Sequence, residues 1–102
     1  MSFLLFYITH PDQATAERIG GELVAKKLVA CANYFPIQSA YWWEGSVAQE
    51  GEWVSVVKTT LAREVAVEQY IEQEHPYDTP CILRTEVRAN KAYEKWIAES
   101  VE

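Results

Sequence analysis

The sequence predicts an α+β domain in which helices cover a small sheet. Three observations predict it. Four segments are rich in apolar and β-branched residues (3–9, 29–44, 47–60 and 81–87). Between them lie stretches with apolar residues at helical spacing. A turn signal, Glu44-Gly45-Ser46, joins the second and third segments into a hairpin.

The elements follow in order. Phe3 to Thr9 is a nearly unbroken apolar run, the pattern of a central strand covered on both faces. His10-Pro11 ends it, because proline removes a ladder donor. Asp12 is positioned as a helix N-cap. Ala16, Ile19, Leu23, Val24 and Leu28 then fall on one stripe, with Glu17, Arg18, Lys26 and Lys27 pointing away. Gly20-Gly21 costs this helix propensity, and one of the two glycines is expected to permit a close approach to the sheet.

Val29 to Glu44 carries Val29, Cys31, Tyr34, Phe35, Ile37, Tyr41, Trp42 and Trp43. Pro36 interrupts it, so this strand is expected to bend or lie at an edge. Val47 to Thr60 is the returning arm, with Gly51 a candidate bulge. Both arms exceed the usual ~5–6 residues of a strand. Arg63 to Glu74 is a second helix with Val67, Tyr70 and Ile71 inward, and His75-Pro76 stops it. After a turn over residues 77–80, Cys81 to Val87 is a fourth strand. Asn90 is expected to cap a last helix bearing Tyr93, Trp96 and Ile97 on one face. The first six elements make the split βαβ pattern of the ferredoxin-like fold, in one domain spanning residues 1–102.

Bulk properties exclude several function classes. The chain has 102 residues with nine Lys or Arg against fifteen Asp or Glu, a net charge of −6. That leaves no cationic surface for nucleic acid or for an anionic membrane. The apolar N-terminal run lacks a basic flank and is too short for a signal peptide or a membrane span. Two cysteines do not make a secreted disulfide scaffold. A cytoplasmic protein with reduced thiols is expected.

Four Trp, six Tyr and three Phe are many for this length. Tyr41, Trp42 and Trp43 are consecutive on an extended arm, so their side chains alternate between faces. A two-layer fold leaves one face of that hairpin wet and aromatic, and its outer ends show unpaired backbone. Both features predict self-association.

The residues available for chemistry are few. Cys31, Cys81, His10 and His75 are soft or borderline metal donors, and their spacing matches no zinc motif. Each also fits a structural role, as a small buried thiol or a hydrogen-bonded imidazole. A thiolate and an imidazole together suit copper or zinc better than magnesium. Glu44, Glu50, Glu52, Glu72 and Glu74 could bind hard cations or act as general bases, but they fit a solvated acidic surface better. There is no Gly-rich phosphate loop and no dinucleotide fingerprint. Lys58 lies inside an otherwise core-like strand, so it is expected either to pair with a glutamate or to reach a cleft and contact an anion.

Several segments resemble the CutA family of divalent-cation tolerance proteins, in the same order along the chain. They are 9–12 (Thr-His-Pro-Asp), 28–33 (Leu-Val-Ala-Cys-Ala-Asn), 41–45 (Tyr-Trp-Trp-Glu-Gly), 57–60 (Val-Lys-Thr-Thr) and 75–80 (His-Pro-Tyr-Asp-Thr-Pro), together with Tyr93 and Trp96. The resemblance implies a ferredoxin-like subunit in a tight homotrimer, similar in architecture to the PII signalling proteins. It implies a non-enzymatic role in tolerance to copper or another divalent metal ion, with no organic cofactor. Cys31 and His75 match the family's metal-binding candidates. Lys58, Tyr77 and Trp96 match positions near clefts between subunits, where a PII-like sensor would hold a small anionic ligand. Some relatives carry a cysteine where this chain has Ile8, which argues against a site built from several cysteines.

Overall fold

The computed structural model describes residues Met1–Glu102. The elements are β1 (Phe3–His10), α1 (Gln13–Ala25), β2 (Cys31–Trp43), β3 (Ser46–Thr59), α2 (Glu64–Glu74), β4 (Ile82–Val87) and α3 (Lys91–Ser100). A short 3₁₀ turn, Leu61–Arg63, leads into α2. The four strands form one antiparallel sheet in the order β2-β3-β1-β4. No helix is long and apolar enough to cross a membrane.

The sheet divides the side chains of β1 by parity, because successive residues point to opposite faces. Leu4, Phe6 and Ile8 face α1 and α2 and form the core with Ile19, Leu23, Val29, Val57, Val67 and Ile71. From the stripes read from spacing, α1 buries Ala16, Ile19 and Leu23 and α2 buries Val67 and Ile71, whereas Val24 is exposed and Leu28 lies beyond the end of α1, because the helix stops at Ala25. Asp12 caps α1, its Oδ1 accepting from Thr15 N at 2.8 Å. Gly20 is the close-approach glycine: a Cβ there would lie 2.9 Å from Cε1 of Tyr34 and closer still to its hydroxyl, whereas one at Gly21 would meet open space.

The hairpin arms are 13 and 14 residues long, and Pro36 is accommodated because β2 is an edge strand. Glu44 and Gly45 both have positive φ, 50° and 82°, the backbone of a type I′ turn. β1 pairs with β3 only as far as Trp53. Beyond it residues 37–43 and 46–52 form a two-stranded arm, and the molecule extends 45 Å along its long axis. Trp42 and Trp43 on this arm are 77% and 60% exposed.

Two sequence expectations are corrected. Gly51 is not a bulge: it sits opposite Gln38 in a ladder whose register is unbroken from Cys31↔Lys58 to Trp43↔Ser46. Its role in the sequence resembled that of a bulge only because glycine is poor at holding a regular strand. Asn90 occupies the N-cap position of α3 but makes no capping bond through its side chain. The Glu94 carboxylate instead ties the segment before the helix to its first turn, accepting from Ala89 N at 2.8 Å and from Arg88 Nε at 2.7 Å.

Candidate functional site

The face of the sheet away from α1 and α2 carries the candidate residues. On β3 it presents Glu52, Val54, Val56 and Lys58, because the regular ladder keeps alternate residues on one side. On the same face lie Cys31, Asn33 and Phe35 of β2, Leu5 and Tyr7 of β1, and Leu83 of β4. Its central part is apolar and partly open: Leu5, Tyr7 and Val56 are part-exposed, Val54 is buried, and Leu83 on the edge strand β4 is 59% exposed. α3 covers one end of it, and the segment after α2 borders the other.

At the α3 end, Cys31 and Lys58 are cross-strand partners. Tyr93 of α3 joins them: its hydroxyl lies 3.5 Å from the Cys31 sulfur and accepts from Lys58 Nζ at 3.2 Å. The ammonium also donates to Asn33 Oδ1 at 3.2 Å and stands 5.4 Å from the centre of the Tyr93 ring. Burial pushes the Tyr93 phenol up from its ordinary value, and the Cys31 hydrogen bond adds to the shift. Trp96 packs on Tyr93 with ring centroids 5.5 Å apart. No carboxylate lies within 4 Å of Lys58, so the ion pair with a glutamate weighed from the sequence is absent within the chain.

The other end is built by His75, the residue that closes α2. Its Nε2 lies 2.8 Å from Thr9 O, and its Nδ1 accepts from Tyr77 N at 3.1 Å. The backbone N–H at Nδ1 fixes the tautomer: Nε2 carries the proton and donates it to the carbonyl. The Tyr77 hydroxyl donates to Glu52 Oε2 at 2.8 Å. Behind His75 the His10 ring is fully buried, its Nε2 2.7 Å from Ser55 Oγ and its Nδ1 without a partner.

The predicted residues thus fall into two groups. Cys31, Lys58 and Trp96 meet at one end; His75 and Tyr77 meet at the other. Cys31 is level with Leu5 across the sheet and His75 with Thr9, four residues along β1. At ~3.3 Å per residue that separates them by roughly 13 Å, too far to share one metal ion. No three residues among His, Cys, Asp and Glu gather into a metal-holding group within the chain. Both ring nitrogens of His75 are engaged with backbone groups, which further limits it as a donor in a lone subunit. Cys81 is a free thiol just before β4, one residue beyond the Ile8↔Ile82 pair and so toward the end where His75 meets Thr9, with no bond to His75 or Tyr77.

Three participants were not among the site residues expected from the sequence. Tyr93 and Asn33 entered only as part of the segments that carry the family resemblance, and Glu52 as one acid among several. Tyr93 shares its helix face with Trp96, three residues on, a signal that places the two side by side.

Known proteins give the same picture for the whole chain. The family described as CutA1 divalent ion tolerance protein matches residues 4–100. The divalent-cation tolerance protein CutA of Thermotoga maritima is 39% identical over 99 residues, spanning 96% of this chain and 98% of that one. Among solved structures, the periplasmic divalent cation tolerance protein CutA of Archaeoglobus fulgidus superposes with a TM-score of 0.93 at 41% identity, covering 100% of each chain. CutA of Synechococcus elongatus PCC7942 does so with a TM-score of 0.95 at 30% identity, over 99% of this chain and 91% of that one. A family match over residues 4–100, with a relative 39% identical across nearly the whole of both chains, means that this chain belongs to the CutA1 divalent ion tolerance protein family.

Proposed function

We propose that this protein is a non-enzymatic homotrimer that contributes to divalent-cation tolerance in the cytoplasm by binding a metal ion, copper foremost, between its copies. The observation that carries this reading is the open apolar sheet face with half a site at each end. A ring of copies related head to tail would set the Cys31 end of one copy against the His75 end of the next. That arrangement unites donors which one chain holds roughly 13 Å apart. The succession β1-α1-β2-β3-α2-β4 and the strand order β2-β3-β1-β4 support a ferredoxin-like subunit. The projecting aromatic arm and the uncovered face support PII-like trimer packing. Cys31 is the better-placed soft donor; His75 would have to release one backbone partner to join it.

Copper titration of the purified protein tests this, repeated on Cys31→Ser and His75→Ala. Loss of binding in Cys31→Ser is expected, with weakening in His75→Ala. Binding unchanged in both variants overturns the assignment.

One observation favours a second reading. Lys58 is an ammonium held by neutral oxygens beside the Tyr93 ring, with no carboxylate of its own chain within 4 Å. This suits a PII-like sensor whose cleft takes a small anionic ligand, contacted by Lys58, with Trp96 on one side and Tyr77 supplied by the next copy. A thermal-shift screen of small anions tests it: a ligand raises the melting temperature by mass action, and Lys58→Ala abolishes the rise.

A further inference from the structure

We infer that Lys58 of one copy forms an ion pair with Glu52 of the next, and that this pair sets the register of the subunits in the unliganded protein. The inference rests on the trimer reading above. It starts from two incomplete charges on one sheet face. Glu52 is 8% exposed, and its carboxylate receives a single hydrogen bond, from Tyr77. No cation of the chain lies within 4 Å of it. A carboxylate this buried is costly unless a cation compensates it.

Elimination identifies that cation. Arg18, Arg84, Arg88 and Lys95 already hold carboxylates of their own chain. Arg63 donates to the Glu102 carbonyl, and Lys26 stands over the Tyr70 ring. Lys27 follows α1 and Lys91 opens α3, both exposed and neither on a strand. Lys58 alone is a strand cation on the face that carries Glu52, and it too lacks a carboxylate partner.

Within one chain the two cannot meet. They are six residues apart on β3, roughly 20 Å at ~3.3 Å per residue. Between copies they can. Between them lie the buried Val54 and the part-exposed Val56, flanked by Phe35, Leu5 and Tyr7, so an apolar strip of Phe35, Leu5, Tyr7 and Val56 runs from an acid at one end to a base at the other. Two such strips laid head to tail bring base to acid. Charge complementarity of this kind fixes register and excludes slipped pairings. A second copy is therefore the occupant that the face fits. The small anion of the second reading would compete with Glu52 for the same ammonium.

Charge exchange tests the pair. The association state is measured by sedimentation over a dilution series for wild type, Lys58→Glu, Glu52→Lys and the double exchange. Each single reversal puts like charges together, and at least a tenfold rise in the concentration needed for assembly is expected. The double exchange restores the attraction in the opposite sense and should recover most of the loss. Lys58→Gln and Glu52→Gln, with folding checked by circular dichroism, give the same ranking with milder effects if a reversal fails to fold. If either single reversal leaves assembly at the wild-type level, or the double exchange is no better than the two losses combined, the pair does not exist. A wild-type protein that stays monomeric overturns the trimer reading itself, a separate outcome.

Discussion

The ring of His10 stacks on the ring of His75, with centroids 5.2 Å apart and planes inclined by 21°. Neither imidazole has an acidic partner. His10 is buried against Ser55, and His75 spends both nitrogens on backbone groups. Both are therefore neutral residents of the folded chain. Burial pushes the His10 pKa down to about 4, and the charge His75 would carry adds to the effect. Burial likewise lowers that of His75, against the raising influence of its Thr9 hydrogen bond and of Glu52.

The pH dependence follows with a definite sign. The unfolded chain takes up these protons near pH 6.5, while the folded chain refuses them until the pH is lower. Stability is therefore complete above about pH 6.5 and falls as the pH drops from there toward about 4. Each imidazole contributes at most about 1.4 kcal/mol per pH unit, less wherever water reaches the ring. A flat melting temperature above pH 7, with a decline that begins near pH 6.5, is the expected profile. His10→Asn removes one proton site while still able to bond Ser55, so its decline should be shallower. A decline as steep as wild type would show that His10 is not its source.

Two adjacent glycines of α1 should respond oppositely to alanine. At Gly20 the new methyl would run into the hydroxyl end of the Tyr34 ring, which would have to turn out of its packed position. A cost of ~1–3 kcal/mol is expected from overpacking, partly offset by alanine's better helix propensity. At Gly21 the methyl meets nothing, so a gain approaching about 1 kcal/mol is expected. Urea denaturation of the two variants checks the pair. Equal effects at both positions would refute the close approach.

Most of the fold was legible because each element carried its own punctuation. Asp12 opened α1, Pro36 marked an edge strand, Glu44-Gly45 closed the hairpin and His75-Pro76 ended α2. Gly51 and Asn90 were misread for a shared reason. A glycine in a strand and an asparagine before a helix state a local preference, but the partner decides whether it is used. At Asn90 the decisive partner is Glu94, four residues on, and at Gly51 it is the unbroken opposite strand. The site was legible only as an inventory. Cys31, Lys58, His75, Tyr77 and Trp96 were all named, yet their division between two ends of a sheet depends on strand register, which no short motif encodes. Tyr93 and Glu52 were named without a site role because their importance lies in what they touch, Lys58 and Cys31 in one case and Tyr77 in the other.

The tip of the hairpin offers a stabilising change. Glu44 holds φ at 50°, in a left-handed region where its side chain is disfavoured, beside Gly45 at 82°. Asparagine tolerates that conformation better, and Asn-Gly is the favoured pair for this turn. Glu44→Asn should therefore raise stability by a few tenths to about 1 kcal/mol, and Gly45→Ala should lower it by about 1 kcal/mol. Thermal unfolding of both variants decides it. If Gly45→Ala is neutral, the turn adopts another backbone in solution.

The start of α3 should depend on Glu94 and scarcely on Asn90. Glu94 gathers the Arg88 guanidinium, the N-terminal ammonium of Met1 at 2.9 Å and the Ala89 N–H on one carboxylate. The Arg88 hydrogen bond comes first among the influences that bring its pKa down to about 2. Asn90, whose side chain caps nothing, should tolerate alanine within about 0.5 kcal/mol. Glu94→Gln keeps the shape but removes the charge that holds three donors, so it should lower the melting temperature well beyond Asn90→Ala. Its folded carboxyl titrates below the unfolded one, so this stabilisation is present above about pH 4.5 and lost as the pH falls toward 2. The difference between wild type and Glu94→Gln should therefore shrink in acid. Because Trp96 and Tyr93 ride on the same helix, loosening α3 should also alter tryptophan fluorescence before global unfolding. A Glu94→Gln variant that melts like Asn90→Ala at neutral pH would mean that α3 is held by Ile97 and Tyr93 alone.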